Sequence, residues 1–397
     1  MKKITAYLSL IFFLNLGCST DDNHDGGGEK PQPGENTALS LVDKQATEET
    51  KALYSNLWSI QEQGVMFGHH DALLYGRNWY VEHGRSDIKD VVGDYPAVFS
   101  VDFAELMDDR YATAELNEHR VRTIKEARRR GEVILANAHL NNPLTGGDSW
   151  DNSRNDVVKE ILIEGSTTNQ KYLDWLDRLA AVAHSLVDDN GKPIPVIFRP
   201  YHEHNQTWSW WGRSATTQQE FIDLWRFTID YLKNEKEVHN FIYAISPQLD
   251  QLGSKENLLF RWPGDNYVDF LGMDSYHGTN TAAFSSNLRN LAILSQEKNK
   301  PSGVTETGIE GILGSDGETY EEYWTREIGT PLAGKKISMV VMWRNKYDPS
   351  NTGFHFFAPF EGHSSAPDFQ KFFAMDHILF SSDLPEMYEM VNGIDFN

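Results

Sequence analysis

The sequence predicts a (β/α)8 TIM barrel, an α/β fold in one domain, and three observations point to it. Short, near-continuous apolar runs recur eight times along the 397-residue chain, as parallel strands buried on both faces do. Helical patterns separate several of them. Polar and ionisable residues crowd the C-terminal end of nearly every run, and a barrel opens all those ends on the one face where its sites lie.

In chain order the runs are VMFGHH from Val65, AVFSVDF from Ala97, EVILANAHL from Glu132, PVIFRPYHE from Pro195, FIYAISP from Phe241, YVDFLGMDSY from Tyr267, PSGVTETG from Pro301 and ISMVVMWRN from Ile337. Their ends carry His69 and His70, Asp102, His139, Glu203, Ser246, Asp274 with Tyr276, Glu306, and Trp343 with Arg344. Between the third and fourth runs, Leu173, Leu176, Leu179, Ala180, Ala183 and Val187 mark one helix face. After the fourth, Phe221, Leu224, Trp225, Thr228 and Leu232 mark another, opened by a capping box of Thr217 and Glu220. No repeat or linker interrupts the chain after Leu39. Residues 39–397 therefore read as a single barrel domain, within the about 200 to more than 400 residues that such barrels span.

Residues 1–17 join Lys2 and Lys3 to an apolar stretch from Ile4 to Leu16 and end in LNLG before Cys18. The stretch is too short to span a membrane and has the pattern of an export signal. A small residue before the chain's one Cys resembles the lipobox of bacterial lipoproteins, which makes Cys18 the lipidated first residue of the mature chain. Residues 18–38, rich in Gly, Pro and acids, cannot bury enough apolar surface to order and read as a flexible linker. The Ser-Thr-Asp-Asp after Cys18 resembles the acidic export signal of Bacteroidetes surface lipoproteins. The expected location is the cell-surface side of the outer membrane, with the membrane touched only through the lipid.

Loss of Lys2 and Lys3 with the signal takes the formal charge from −22 to −24. Nucleic acids and anionic lipid surfaces are poor partners for such a chain. Aromatic residues make up 12%, with 11 Trp, which suits a neutral partner with flat apolar faces such as sugar rings.

The stretch FRPYHEHNQTWSWWG, Phe198 to Gly212, packs an Arg, two His, a Glu and three Trp into one segment, a mixture that a buried core does not choose. Glu203 ends the fourth run and Glu306 the seventh. Glycosidic hydrolysis with retention needs one carboxylic acid and one carboxylate about 5–5.5 Å apart, and two barrel strands can present them so. Regular alternation would put Arg199, Tyr201 and Glu203 on one face and His202 on the other. Pro200, which lacks an N–H, predicts an irregular strand end from Pro200 to Glu203 that turns both His202 and Glu203 into the cleft. His69, His70, His139, His202 and His204 include no helical i, i+4 pair for zinc, so no metal and no cofactor is expected. At least one of Trp208, Trp210 and Trp211 is expected in the core.

RPYHEHNQTWSWWG resembles the acid/base signature of glycoside hydrolase family 26. FGHH, HLNNP, GMDSY, VTETG and VMWR resemble that family's first-, third-, sixth-, seventh- and eighth-strand segments. The family consists mostly of retaining endo-β-1,4-mannanases on (β/α)8 barrels, so the resemblance implies Glu203 as acid/base and Glu306 as nucleophile. It implies His202 near the reacting sugar's 2-hydroxyl or the nucleophile, Tyr276 orienting Glu306, and His139, Trp211 and Trp343 lining the subsites. Trp208, His69 and Asp102 are further substrate-binding candidates. β-Mannan polysaccharide and manno-oligosaccharides are the implied partners, with other surface glycan-utilisation proteins as implied company. His204, Gln206-Thr207, Thr305 and Thr307 depart from the usual pattern and bear on subsite preference. β-1,3-Xylan or mixed-linkage β-glucan hydrolysis stays open within the family. A non-catalytic surface glycan-binding lipoprotein stays open outside it, although the presence of both Glu203 and Glu306 argues against that reading.

Overall fold

The computed structural model describes residues 37–108 and 114–397. The expected signal peptide (1–17), the expected lipid site at Cys18 and residues 18–36 of the expected linker lie outside the described residues. All eight apolar runs are strands: β1 (Val65–His70), β2 (Val98–Asp102), β3 (Val133–Ala138), β4 (Val196–Pro200), β5 (Phe241–Ile245), β6 (Phe270–Ser275), β7 (Ser302–Thr307) and β8 (Met339–Met342). They pair in parallel in chain order, and β8 closes on β1 through Met66–His69 against Met339–Met342.

Alternation along these strands builds two cores. Met66, Val98, Val133, Leu135, Ile197, Ile242, Phe270, Met339 and Val341 point inward and fill the N-terminal half of the barrel. Leu53, Tyr54 and Leu57 of the helix Glu48–Ser59 pack against them and plug that end. The outward residues, such as Phe67, Phe99, Phe198, Phe241 and Val340, meet the surrounding helices. With the lower half filled by hydrocarbon, charged inward side chains are confined to the C-terminal half.

The helix Gln218–Asp230 begins on the expected capping box, Thr217 with Glu220, and buries Phe221, Leu224, Trp225 and Thr228. The helix Thr167–Ser185 buries Tyr172 and Trp175 beside Leu176, Leu179, Ala180 and Ala183. Leu173 is only half-buried and Val187 lies beyond the helix end, because the two aromatic rings shift the buried face by about one residue. After β5 the helix shrinks to Lys255–Leu258. The domain also starts earlier than Leu39: Thr37–Leu39 pairs in parallel with Ile394–Phe396, so Thr37 and Ala38 belong to the folded unit.

Candidate active site

The acid/base candidate stands on an abrupt change of backbone. The ladder with β3 stays regular up to Ala138 opposite Pro200, so Pro200 itself makes no bulge, contrary to the expectation above. The irregularity begins one residue later. Tyr201 and Glu203 both adopt left-handed backbone, φ 51° and 53°, a conformation that costs non-glycine residues of order 1–3 kcal/mol each. Its effect is to break alternation. Tyr201 swings outward among Trp210, Trp211, Phe221 and Trp225, while His202 and Glu203 both turn inward. The Glu203 N–H donates to Ser246 O at 2.8 Å, tying the strained turn to the end of β5.

Glu203 is 7% exposed and its Oε2 accepts from Trp208 Nε1–H at 2.6 Å. Burial pushes its carboxyl well above the usual range, and the negative charges of Glu306 and Asp274 push it further, against the Trp208 N–H and Arg199. Glu203 is thereby kept as an acid.

Glu306 has the opposite surroundings. Its Oε2 accepts from Arg199 Nη2 at 2.7 Å and its Oε1 from the Tyr276 hydroxyl at 2.6 Å. Arg199 is fully buried and also donates to Asp274 Oδ2 at 2.6 Å and to Ser246 Oγ at 2.9 Å, so one guanidinium links β4, the β5 end, β6 and β7. A register shift in β7 inserts one extra residue between Val304 and Glu306 opposite Met273 and Asp274. That bulge lets Thr305, which donates to Asp274 Oδ1 at 2.7 Å, and Glu306 both serve the interior. Gly272 makes room for this network: a Cβ there would lie 2.8 Å from both Ser246 Cβ and Thr305 Oγ1. One carboxyl kept protonated beside another held by an arginine is the pairing that acid and nucleophile roles require.

A second chain of contacts forms the adjoining wall. Asp102 Oδ2 meets His139 Nδ1 at 2.7 Å, and His139 Nε2 meets His202 Nε2 at 3.1 Å. Burial works against ionisation of Asp102, yet the His139 ring and the Ala104 N–H hold its carboxyl well below the ordinary range. Asp102 thus fixes His139 by accepting from Nδ1–H. Burial, with His139 and Arg199 nearby, holds His202 well below the usual imidazole range. The Trp343 ring lies 5.6 Å from that of His139 and stacks on His70 at 4.3 Å.

Glu203, Glu306, His139, His202, Trp208, Tyr276, Trp343 and Asp102 are thus brought together. Two expected residues are not. Inward positions on β1 run Met66, Gly68, His70, so His69 falls on the outward face with Phe67; it is buried and its imidazole is pushed down to about 3 by burial first. His70 occupies the cleft instead. Trp211 is fully buried, donating from Nε1 to His202 O at 2.8 Å, and so stands behind the wall rather than on it. Trp210 is likewise core and donates to Leu140 O. His204 stacks on Phe221 and contacts Phe260 O through Nε2, away from the other histidines. Arg199 and Trp150 escaped the sequence reading as site residues. The first had a signal, a lone charge inside an apolar strand that has to find buried partners. Trp150, 63% exposed and 4.7 Å from the Trp208 ring, sits in a Gly- and Asp-rich loop with no such signal.

A family model for glycosyl hydrolase family 26 matches residues 42–316. A mannan endo-1,4-beta-mannosidase from Bifidobacterium adolescentis is 28% identical over 84% of this chain and 35% of its own length. Mannan endo-1,4-beta-mannosidase A and B from Caldalkalibacillus mannanilyticus is 24% identical over 88% of this chain and 65% of its own. The chain thus spans less than two thirds of either relative. Among solved structures, a GH26 beta-mannanase from Bacteroides ovatus superposes with TM-score 0.80 and 36% identity, covering 87% of this chain and 98% of that one. The catalytic domain of a Bacillus GH26 endo-beta-1,4-mannanase gives TM-score 0.82 and 30% identity, over 93% and 100%. With the barrel, the carboxylates just past the end of β4 and on β7 and a family match over most of its length, this chain belongs to glycosyl hydrolase family 26.

Proposed function

We propose that this protein is an endo-acting, retaining β-mannanase that hydrolyses β-1,4 bonds in mannan, galactomannan or glucomannan. The observation that carries the reading is the asymmetry of the two glutamates: Glu203 buried and pushed towards its acid form, Glu306 gripped at both oxygens by Arg199 and Tyr276. The relatives named as mannanases supply the substrate class. In the first step Glu306 attacks the anomeric carbon while Glu203 gives its proton to the departing glycosidic oxygen. In the second, Glu203, now a carboxylate, takes a proton from the water that displaces Glu306, and the β-anomer results. The leaving sugar sits on the Glu203 side, against Trp208, whose ring is tilted 38° from that of Trp150 at 4.7 Å. The retained sugar sits over Trp343, walled by His139 and His202.

The test incubates the soluble domain with mannan, galactomannan, β-1,3-xylan and mixed-linkage β-glucan and follows new reducing ends. Internal cleavage of the mannans, with the β-anomer first by NMR, is the expected result; cleavage confined to xylan or glucan rejects the substrate, and α-anomer first rejects the mechanism. We also propose that Cys18 carries a lipid anchor holding the enzyme on the outer membrane, beside other glycan-utilisation proteins. The support is the lipobox-like LNLGC and the acidic residues after it. Acyl chains hold by about 0.8 kcal/mol per buried methylene, so Cys18→Ala should move the protein to the soluble fraction.

A further inference from the structure

Asp102 closes β2, His139 follows β3 and His202 follows β4. Their contacts run in series, Asp102 Oδ2 to His139 Nδ1 at 2.7 Å and His139 Nε2 to His202 Nε2 at 3.1 Å. Two imidazole nitrogens at that distance share one proton, so one ring donates and the other accepts. The contact itself does not say which. Its surroundings do.

Asp102 is held in its ionised form, and a carboxylate can only accept. Its Oδ1 takes the Ala104 N–H at 2.8 Å and the His139 N–H at 3.3 Å, which leaves Oδ2 for the His139 ring. The Asn137 amide, 3.3 Å from the same Nδ1, cannot set the direction, because an amide serves either tautomer by turning over. A neutral His139 therefore spends its one ring proton on Asp102 and offers a lone pair at Nε2. His202 must then donate from its own Nε2. Burial, with His139 and Arg199 beside it, opposes a second proton on His202. The far end of the line agrees: His202 Nδ1 is buried with no hydrogen-bond partner among the described residues, and an orphaned acceptor is tolerated there more readily than an orphaned N–H.

We propose that Asp102 is a positioning residue that fixes the tautomers of both histidines, with the proton on Nδ1 of His139 and on Nε2 of His202, and so sets the wall against which the retained sugar reacts. The reaction it serves rests on the mannan reading; the proton positions do not. A tautomer setter and a structural anchor respond to substitution in opposite order. In Asp102→Asn the amide oxygen stays with the Ala104 and His139 N–H groups, so the amide NH2 faces His139 Nδ1 and donates to it. His139 then carries its proton on Nε2 and donates to His202, whose own proton is driven to the buried Nδ1, where nothing accepts it. One isosteric change reverses the whole line. Asp102→Ala only removes the constraint and leaves both rings free to keep the original tautomers.

The experiment labels the histidine rings with ¹⁵N and reads by NMR, above the ordinary imidazole range of about 6.5, which nitrogens of His139 and His202 carry protons. His139→Gln and His202→Gln assign the signals. The expected protons lie on His139 Nδ1 and His202 Nε2 in wild type, and on His139 Nε2 and His202 Nδ1 in Asp102→Asn. On mannohexaose, Asp102→Asn should lose roughly tenfold to a hundredfold in kcat, the range that one unpaired buried donor commands, with KM within about threefold. It should be less active than Asp102→Ala, and melting curves verify that both variants are folded. Two protons on His139 in wild type, or unchanged tautomers in Asp102→Asn, overturn the assignment. An Asp102→Asn enzyme at least as active as Asp102→Ala overturns it too, since that is the order a purely structural role gives. A wild-type enzyme inactive on mannohexaose and mannan overturns the mannanase reading instead, and the NMR result then decides the tautomers alone.

Discussion

Glu203 and Glu306 are the same residue type, and their surroundings alone separate the acid/base and nucleophile roles proposed for them. Glu203→Ala removes the proton donor, so it should cost on the order of 10²-fold to 10⁴-fold on mannan, and far less in glycosylation by an aryl mannoside whose leaving group needs no proton. Azide should speed its turnover and yield a β-linked azide adduct. Glu306→Ala should lose turnover on every substrate, since no donor replaces an absent nucleophile. Indistinguishable variants on the aryl mannoside would contradict these roles. The same surroundings carry a stability cost. Because the folded-state pKa of Glu203 is raised above the ordinary glutamate value of about 4.3, the folded protein holds a proton that the unfolded chain releases. Stability therefore falls as pH rises from the unfolded value towards the folded one. Glu203→Gln should raise the melting temperature at pH 7, and the gain should vanish by about pH 3, where both states are protonated. An equal gain at both pH values would show that charge is not the cause.

At the level of elements, the site depends on three strands departing from ideal geometry or composition. The β4 end uses two left-handed residues, β7 uses a bulge, and β6 uses Gly272 to admit the ion network. Arg199 joins them, since only a guanidinium can donate in-plane to Asp274, Ser246 and Glu306 together. Replacing it leaves two buried carboxylates without their cation. Arg199→Met should therefore destabilise the domain by about 3–5 kcal/mol, read from chemical denaturation, whereas breaking an exposed pair such as Arg326–Glu322 should have little effect. A loss for Arg199→Met no larger than that of the surface pair would mean the network contributes little to the fold.

On the scale of the whole molecule, the barrel divides along its axis into a hydrocarbon plug and a polar mouth. The two ends of the folded unit, Thr37–Leu39 and Ile394–Asn397, brace the plug from outside the barrel. Ile394–Phe396 pairs with Thr37–Leu39, Phe396 packs 6.1 Å from Tyr54, and the Asn397 N–H donates to Leu39 O at 2.9 Å. Deleting residues 392–397 should lower the melting temperature, the loss of Ile394 alone being worth about 2 kcal/mol or more. It should leave kcat on mannan unchanged, because nothing in that segment reaches the mouth. A fall in kcat at a temperature where the truncated protein is still folded would show that bracing and catalysis are coupled.

The eight strands, the capped helix after β4 and the pair Glu203 and Glu306 were legible in the residues, because apolar period, capping chemistry and strand-end polarity are local signals. Which way a side chain faces is not local. His69 and His70 are adjacent and alike in chemistry; the alternation that begins at Met66 inside the barrel sends one out and the other in. Trp208 and Trp211 look interchangeable in WSWWG, yet one touches Glu203 and the other backs His202. The irregular end that Pro200 predicts falls at Tyr201 to Glu203, and its strain is held by Ser246 and by Trp225 in the aromatic pocket of Tyr201, partners remote in sequence. The line of contacts from Asp102 through His139 to His202 joins residues 37 and 63 positions apart in the chain. Local composition decided which strands and chemical groups this protein has; closure of the barrel decided which of those groups meet, because a contact between distant residues exists only once the chain between them has folded.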